Sequence, residues 1–375
     1  MTETENQSIF SRIQKNSMAL YSVIFIALTT IIAIFAYFIA PDSSPNANQQ
    51  YLELSKLKPG TQIEFLRIKK ETNNTKVGFG RRLLFGKSPA FSEIPIQFYE
   101  FQENNLSIVP YNKSSIFHAD TVIIPITNLL SKDYISKVDV KDLISAKIIH
   151  KKRFLLGTDR FGRDLLSRLL LGMRISLAVG FIAVFISLII GTFLGATAGY
   201  FGGKIDQLIL WLINVIWSLP SLLLIIAITF ALGKGFWQVF IAIGLSMWVE
   251  IARVVRGQVI AFKNLEYIEA ARALGYSHFR IIFYHILPNI FAPIIVISAA
   301  NFASAILVEA GLSFLGLGVP PPVPSWGSMI RENYSTIFFD SAYLALLPGF
   351  AILLLVLAFM LFGKGLREAL NVRSY

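Results

Sequence analysis

The chain contains no cysteine, so it holds no disulfide, thiolate metal site, iron–sulfur cluster or cysteine nucleophile. Its four histidines (His118, His150, His278 and His285) show neither H-x-x-x-H nor H-E-x-x-H spacing, which removes the usual zinc signature. Charge is scarce as well. Only 15% of the 375 residues are Asp, Glu, Lys or Arg, against roughly 25% in soluble globular chains. What replaces charge is apolar: 54% of the chain is hydrophobic and the mean hydropathy is +0.61. The apolar residues gather in blocks of about 20 with few or no charges, and about 20 helical residues cross a bilayer core roughly 30 Å thick. A soluble two-domain enzyme is excluded, and a polytopic membrane protein is expected.

The first block, Leu20 to Ala40, follows Arg12 and Lys15 and closes on Pro41-Asp42. It is longer than a signal peptide and lacks a small-x-small cleavage site, so it reads as an uncleaved span after a cytoplasmic tail, 1–19. Five further spans are expected at about 175–199, 207–232, 236–257, 289–312 and 342–362. Pro220 lies inside the third span and Pro293 early in the fifth, where neighbouring helices can satisfy a freed carbonyl.

The net charge of +11 fits nucleic acid, an anionic surface or membrane topology, and its distribution decides. With the N-terminus in the cytoplasm, the inner tails and short loops hold eleven Lys and Arg, and the short outer loops hold only Lys234 and Arg331. That is the positive-inside pattern, with both termini cytoplasmic. The remaining 21 basic residues, against 13 acidic ones, lie in 41–174, a segment too long for that rule. No basic-aromatic groove or nucleic-acid motif is present, so a nucleic-acid partner is not expected.

An extracytoplasmic insertion domain is expected over 41–156. It opens on a Ser/Pro/Asn/Gln linker, and short apolar runs (Ile63, Phe65 and Ile68; Ile96 and Phe98; Thr121 to Ile126) read as strands of a small β-rich or mixed fold. Gly80 to Ser88 approaches a nucleotide-binding P-loop but has five residues between its glycines where four are needed to wrap the phosphates. It is rejected as a nucleotide site.

Two segments carry functional pattern. In Gly157-Thr158-Asp159-Arg160-Phe161-Gly162-Arg163-Asp164 the glycines and aspartates suit tight turns, and Asp164 suits the N-cap of the next helix. That helix gathers Leu165, Leu166, Leu169, Leu170 and Met173 on one side, with Ser167 and Arg168 elsewhere, as in a helix lying on the membrane surface before the chain dives. Between the fourth and fifth spans, Asn264 can cap a helix carrying Glu266 in its first turn. Gly275 can end that helix, Ser277 can start another, and Pro288 suits the first turn of the fifth span. The small Ala270, Ala271 and Ala273 permit close approach, so this helix–turn–helix outside the bilayer reads either as a coupling surface for a partner or as an ordinary amphipathic loop.

Glu269, Ala270, Ala271, Gly275, Leu287 and Pro288 stand at the spacing that resembles the coupling loop of ABC importer permeases. The likeness extends over about 155–371. Gly157 to Asp164, Ser167-Arg168, Gly172-x-Arg174-x-Ser176, Gly199 to Asp206, Ala252 to Gln258, Leu312 to Gly318, Pro324 to Gly327 and Gly365 to Leu370 resemble the C-type permease of dipeptide, oligopeptide and nickel importers. The resemblance implies an all-α fold of six transmembrane helices, a type I importer permease spanning 157–371 with a short cytoplasmic end at 372–375, in the inner membrane of a prokaryote. It implies no catalytic residues, no metal and no cofactor in this chain, with ATP and Mg bound by partners. Those partners are a second homologous permease subunit, two ABC ATPase subunits and an extracytoplasmic substrate-binding protein, all at or in membrane lipid. The implied coupling surface comprises Tyr267, Glu269, Ala270, Ala271, Leu274, Gly275, His285, Leu287 and Pro288. Gly157, Thr158, Asp159, Gly162, Arg163 and Asp164 form the motif at the outer entry.

For the translocation path or its gating, Asn214, Ser218, Pro220, Asn301 and Glu309 are the candidates. Trp211 and Asn214 stand where relatives often carry an arginine and an aspartate, and the neutral pair makes this span less costly to bury. Glu309 is the one clear carboxylate deep in an apolar run; it is expected near the outer end of the fifth span, paired with an arginine on this chain or on the partner permease, and a proton relay is the alternative. The expected cargo is di- or oligopeptides, with nickel or another small solute as alternative, and a proton-coupled secondary transporter as the rival class. The 41–156 insertion is expected to serve either as a docking surface for the binding protein or as a structural cap.

Overall fold

The computed structural model describes residues 16–70, 78–102, 105–112, 121–126, 148–233, 235–338 and 341–370. Expectations for the extreme N-terminal tail, Lys234, His118 and 372–375 lie outside the described residues. Among the described residues, five helices are long and apolar enough to cross a membrane, and a bent pair supplies up to a sixth span.

The first span is α1 (Ser17–Ile34), whose Asn16 side chain accepts the Ala19 N–H, continued past a kink at Phe35 by α2 (Ala36–Ile39). The second is α4 (Leu165–Phe201), one unbroken helix of 37 residues. A separate surface helix before the dive was expected here and is not formed: no proline or competing cap interrupts 165–175. Within it Gly172 lets the Trp326 ring approach, since an added Cβ would lie 2.8 Å from Cδ1. At a rise of about 1.5 Å per residue α4 is about 55 Å long, so it outruns the bilayer.

The third span departs further from expectation. Instead of one helix over 207–232, α5 (Gly203–Ser218) and α6 (Ser221–Leu232) meet at an angle of 98°. Pro220 has no N–H to give and disfavours helical backbone in the residue before it, and Leu219 accordingly adopts φ −87° and ψ 137°. The fourth span is α7 (Phe236–Phe262), the fifth α10 (Phe291–Leu315) and the sixth α12 (Tyr343–Ala369). The proline in the first turn of the fifth span is therefore Pro293, whose missing N–H would have had no intrahelical partner there. Pro288 sits in the preceding turn.

The closest packing in the bundle joins α4 to α7. Gly191, Gly195 and Gly199 repeat every fourth residue, bringing the α4 backbone against Trp248, Ile251, Ala252, Val255, Arg256 and Val259. Gly244 on α7 answers with Ile186 and Ala183. Small residues at this period let membrane helices gain dispersion energy that lipid would otherwise match.

The insertion between α2 and α4 folds as a five-stranded antiparallel sheet in the order β4-β3-β2-β1-β5. Its strands are β1 (Thr61–Lys69), β2 (Phe91–Gln102), β3 (Asn105–Pro110), β4 (Val122–Pro125) and β5 (Ile149–Phe154), with α3 (Phe79–Phe85) between the first two. One apolar cluster holds Leu66, Ile96, Leu106, Ile108 and Ile149, and a second holds Tyr51, Leu54, Phe65 and Phe154. The runs read as strands fall on β1, β2 and β4. The edge strand β5 was not legible, because Ile-His-Lys-Lys-Arg-Phe buries only its two ends. Beside it, burial alone would raise the Glu93 pKa, but Lys152, the Tyr51 hydroxyl, His150 and Arg67 hold its carboxyl below the usual range. The helix over Phe79–Phe85 leaves no phosphate-wrapping loop in the P-loop-like segment.

The glycine contact gives a paired expectation. A Cβ on Gly195 would lie 2.4 Å from the Ala252 carbonyl oxygen, whereas one on Gly257, also in α7, meets nothing within 4 Å. Gly195→Ala should lower stability by about 1–3 kcal/mol through overpacking, outweighing the gain of roughly 1 kcal/mol in helix propensity that Gly257→Ala keeps. Thermal unfolding in detergent should move the two variants in opposite directions.

Candidate functional site

At the end of the bundle opposite the insertion, α8 (Glu266–Ala273) and the turn after it form a compact knob. Leu265, not Asn264, occupies the N-cap position, and no side chain caps the helix there. Its C-terminus is closed as the sequence reads. Gly275 adopts φ +78°, its N–H donates to Arg272 O at 2.9 Å, and the Tyr276 N–H reaches back to Ala271 O at 3.1 Å. This is the Schellman arrangement, in which glycine at the left-handed position avoids a Cβ penalty. Ser277 then caps α9 (His278–Arg280) by accepting the Arg280 N–H, and the chain continues as a π-helical turn, Ile281–Ile286.

One side of this knob is bolted to the spans. Ile268, Ala271, Ile281, Ile282 and Ile286 share a buried cluster with Ala196 and Tyr200 of α4 and Val255 and Val259 of α7. Ala271, expected on the coupling surface, is instead buried in the anchor, whereas Ala270 and Ala273 face outward. The Tyr200 hydroxyl meets His278 Nδ1 at 2.9 Å, and His285 stacks on Tyr276 with ring centres 5.6 Å apart. Asn289 Nδ2 donates to His285 O at 2.6 Å, tying the turn before α10 into the same unit, while Leu287 is half-buried and Pro288 exposed. The other side presents Tyr267, Glu269, Ala270, Leu274 and Gly275 to the exterior. Leu274 is 73% exposed outside any apolar span, a protruding hydrophobe on a small-surfaced helix.

The second candidate lies at the end that carries the insertion. Asp164 caps α4, its Oδ2 accepting the Ser167 N–H at 2.8 Å, and burial raises its pKa against those hydrogen bonds from Ser167. Asp159 Oδ1 accepts the backbone N–H groups of Phe161 and Arg163, and its Oδ2 lies 2.6 Å from Arg163 Nε. Arg163 reaches on to Glu332 in the last turn of α11 (Trp326–Asn333). Arg168, expected on the polar side of a surface helix, is instead 1% exposed, placed 3.7 Å from Asp159 and 3.6 Å from Glu332. Two arginines and two carboxylates thus form a closed, charge-balanced quartet that periodicity along one helix could not reveal. The rest of the motif stitches the insertion to the bundle: Thr158 Oγ1 accepts the Leu57 N–H and donates to Leu54 O, and a Cβ on Gly162 would lie 1.7 Å from Tyr51 O.

The path candidates divide. Asn214, Ser218 and Pro220 lie on the exposed side of the α5–α6 elbow, where Arg253 donates to Asn214 Oδ1 at 3.0 Å and stacks 3.2 Å over the Trp217 ring. Ser218 turns its hydroxyl back to Val215 O. Asn301 is buried within this chain with neither side-chain polar atom hydrogen-bonded. Glu309 is 0% exposed and accepts from Ser313 Oγ at 2.6 Å, with Ser325 joined to Ser313. No arginine among the described residues pairs with Glu309: the Ser313 hydroxyl serves Oε1, and Oε2 is buried with no hydrogen-bond partner among the described residues. The described residues contain no group of three His, Asp or Glu able to hold a metal ion.

Removing one member of a buried charge network costs about 3–5 kcal/mol, because the opposite charge is left stranded. Asp159→Ala, which strands two buried arginines, should therefore lower the unfolding temperature in detergent well beyond Glu332→Ala, whose carboxylate sits at the partly exposed rim.

Two family models match the chain. The model described as binding-protein-dependent transport system inner membrane component covers residues 191–373, and that of the N-terminal TM domain of oligopeptide transport permease C covers 6–59. Among curated proteins, a glutathione transport system permease protein of Pectobacterium atrosepticum is 43% identical over 58% of this chain and 71% of its own length. A dipeptide transport system permease protein of Alkalihalophilus pseudofirmus is 47% identical over 57% and 70%, and an oligopeptide transport system permease protein of Bacillus subtilis is 37% identical over 61% and 75%. Among solved structures, the inward-facing MetNI methionine ABC transporter matches with 19% identity, 54% of this chain, 95% of that chain and a TM-score of 0.43. The family models and the curated relatives, with the glycine-closed loop after the fourth span, place the chain in the family of binding-protein-dependent transport system inner membrane components, as a C-type permease of the dipeptide and oligopeptide group.

Proposed function

We propose that this chain forms half of the translocation pathway of an ATP-driven importer for di- or oligopeptides. A second, homologous permease completes the pathway, two ATPase subunits dock, one on the knob of each permease, and an extracytoplasmic binding protein delivers the cargo. The α8 knob faces the cytoplasm together with both termini, and the insertion faces outward, in keeping with the basic residues of the short loops. ATP and Mg belong to the ATPase subunits; the contribution of this chain is mechanical.

The observation that carries this reading is the two-sided construction of α8. Its inward face is fused to α4 and α7 through Ile268, Ala271, Ile281 and Ile286, so a displacement of the knob moves both helices. Its outward face offers Tyr267, Glu269, Ala270 and Leu274 on a short helix whose far end is fixed by Gly275. A hydrophobic knob with a small, rigid surround is what a partner's pocket can grip without losing motion to side-chain rearrangement. The peptide cargo follows the relatives named for dipeptides, oligopeptides and the tripeptide glutathione. The proton-coupled alternative is not favoured: Glu309 accepts from Ser313, which leads on to Ser325 and, among the described residues, to no ionisable group.

Gly275→Pro removes a donor and demands φ near −65° where the backbone stands at +78°. It should abolish co-purification of ATPase subunits with the tagged permease and reduce uptake of labelled di- and oligopeptides to background, with membrane insertion retained. Uptake in wild-type cells should persist when the proton gradient is collapsed and ATP maintained. Transport without any ATPase partner, or nickel uptake with no peptide uptake, would overturn the respective parts of this reading.

A further inference from the structure

The segment set aside above as a failed P-loop, Gly80 to Ser88, has a physical role open to it. Its helix α3 is clamped against the end of the first span. The Phe79 and Phe38 rings lie 5.4 Å apart, and the Arg82 guanidinium stands 4.6 Å over Phe38. The Lys87 N–H donates to Ser43 O at 2.9 Å, and Arg174 of α4 donates to Leu83 O at 2.7 Å. Gly86 allows the approach: with φ +75°, its added Cβ would lie 2.6 Å from Ser43 O and 2.7 Å from the Tyr37 ring.

These contacts fix the depth of α3. The helical residues of α1 and α2 together span about 33 Å at 1.5 Å per residue, close to the hydrocarbon thickness of about 30 Å. Tyr37 to Ser43 therefore lie at the membrane–water boundary, and α3 lies beside them. At that depth it does not bury its apolar side chains: Phe79 is 68% exposed, Leu84 55% and Phe85 63%. Phe35, Phe38 and Ile39 of the span itself are exposed next to it, so the apolar surface of α3 is continuous with a lipid-facing surface. Arg81 and Lys87, both exposed, flank it. Exposed aromatic and leucine side chains bordered by basic ones at this level are the composition of an interfacial helix.

We infer that α3 is a lipid anchor: Phe79, Leu84 and Phe85 enter the leaflet on the side of the insertion, and Arg81 and Lys87 meet lipid phosphates. The anchor holds the sheet to the bilayer surface at a second point, besides its junction with the bundle at Gly157–Asp164. Only the identity of the leaflet rests on the orientation proposed above.

The absence of native cysteine makes the test direct. Phe79→Cys and Phe85→Cys, each spin-labelled in the full chain and reconstituted in vesicles of phosphatidylcholine and phosphatidylglycerol, report collision with apolar oxygen and with a water-soluble nickel chelate. Phe98→Cys, on an exposed face of β2, is the reference. The oxygen-to-nickel accessibility ratio at 79 and 85 should exceed that at 98 several-fold, and Arg81→Gln with Lys87→Gln should lower it. Nickel access at 79 and 85 equal to that at 98 would overturn the proposal, as would shielding from both reagents, which would mean that protein covers the helix. Labelling of Phe98→Cys by a membrane-impermeant thiol reagent on intact cells tests the orientation separately.

Discussion

The close approach of α4 and α7 is the constraint on which the rest of the bundle depends. In lipid, helices gain little from burying apolar surface, since the acyl chains are as apolar as leucine, and they associate where backbones pack tightly. Gly191, Gly195, Gly199 and Gly244 permit that contact along several turns. The pair then presents Ala196, Tyr200, Val255 and Val259 as one floor at its far end, and α8 is seated on that floor. Were the two helices to separate, the knob would lose the surface that orients it.

At the opposite end the organising force is electrostatic. Asp159, Arg163, Arg168 and Glu332 come from the linker, the first turn of α4 and the end of α11. Buried charges are costly alone and tolerable as a balanced set, so separating these segments would strand charge. Gly157 and Gly162 allow the backbone of 51–57 to lie against the motif, so the sheet is registered to the bundle through main-chain contacts as well as charge. The two ends of the molecule are thus built differently: apolar and glycine-spaced below the knob, ionic below the insertion.

Much of this was legible in the sequence because it rests on local rules. Span number followed from hydropathy, the cap at Asp164 and the stop at Gly275 from residue type, and the strands β1, β2 and β4 from apolar runs. What escaped depends on partners distant in the chain. Arg168 is paired with Glu332, far along the sequence, so helical periodicity alone assigned it to the polar side. The bend at Leu219 was missed although Pro220 was noted inside the span, since hydropathy is blind to backbone geometry. Glu309 accepts through one oxygen from Ser313, one turn along its own helix, where an arginine had been expected. The glycine stripe had its period in plain view, but its meaning required knowing which helix lay opposite.

The length of α4 has a mechanical consequence. Its first turn belongs to the ionic quartet and its last turn to the floor of the knob, so a single hydrogen-bonded rod connects the two ends of the molecule with no intervening joint. On a lever about 55 Å long, a tilt of about 5° carries one tip about 5 Å relative to the other. Motion generated at one membrane surface can therefore arrive at the other as leverage, undiminished by any series of side-chain relays. The stiffness of one helix sets how faithfully it arrives.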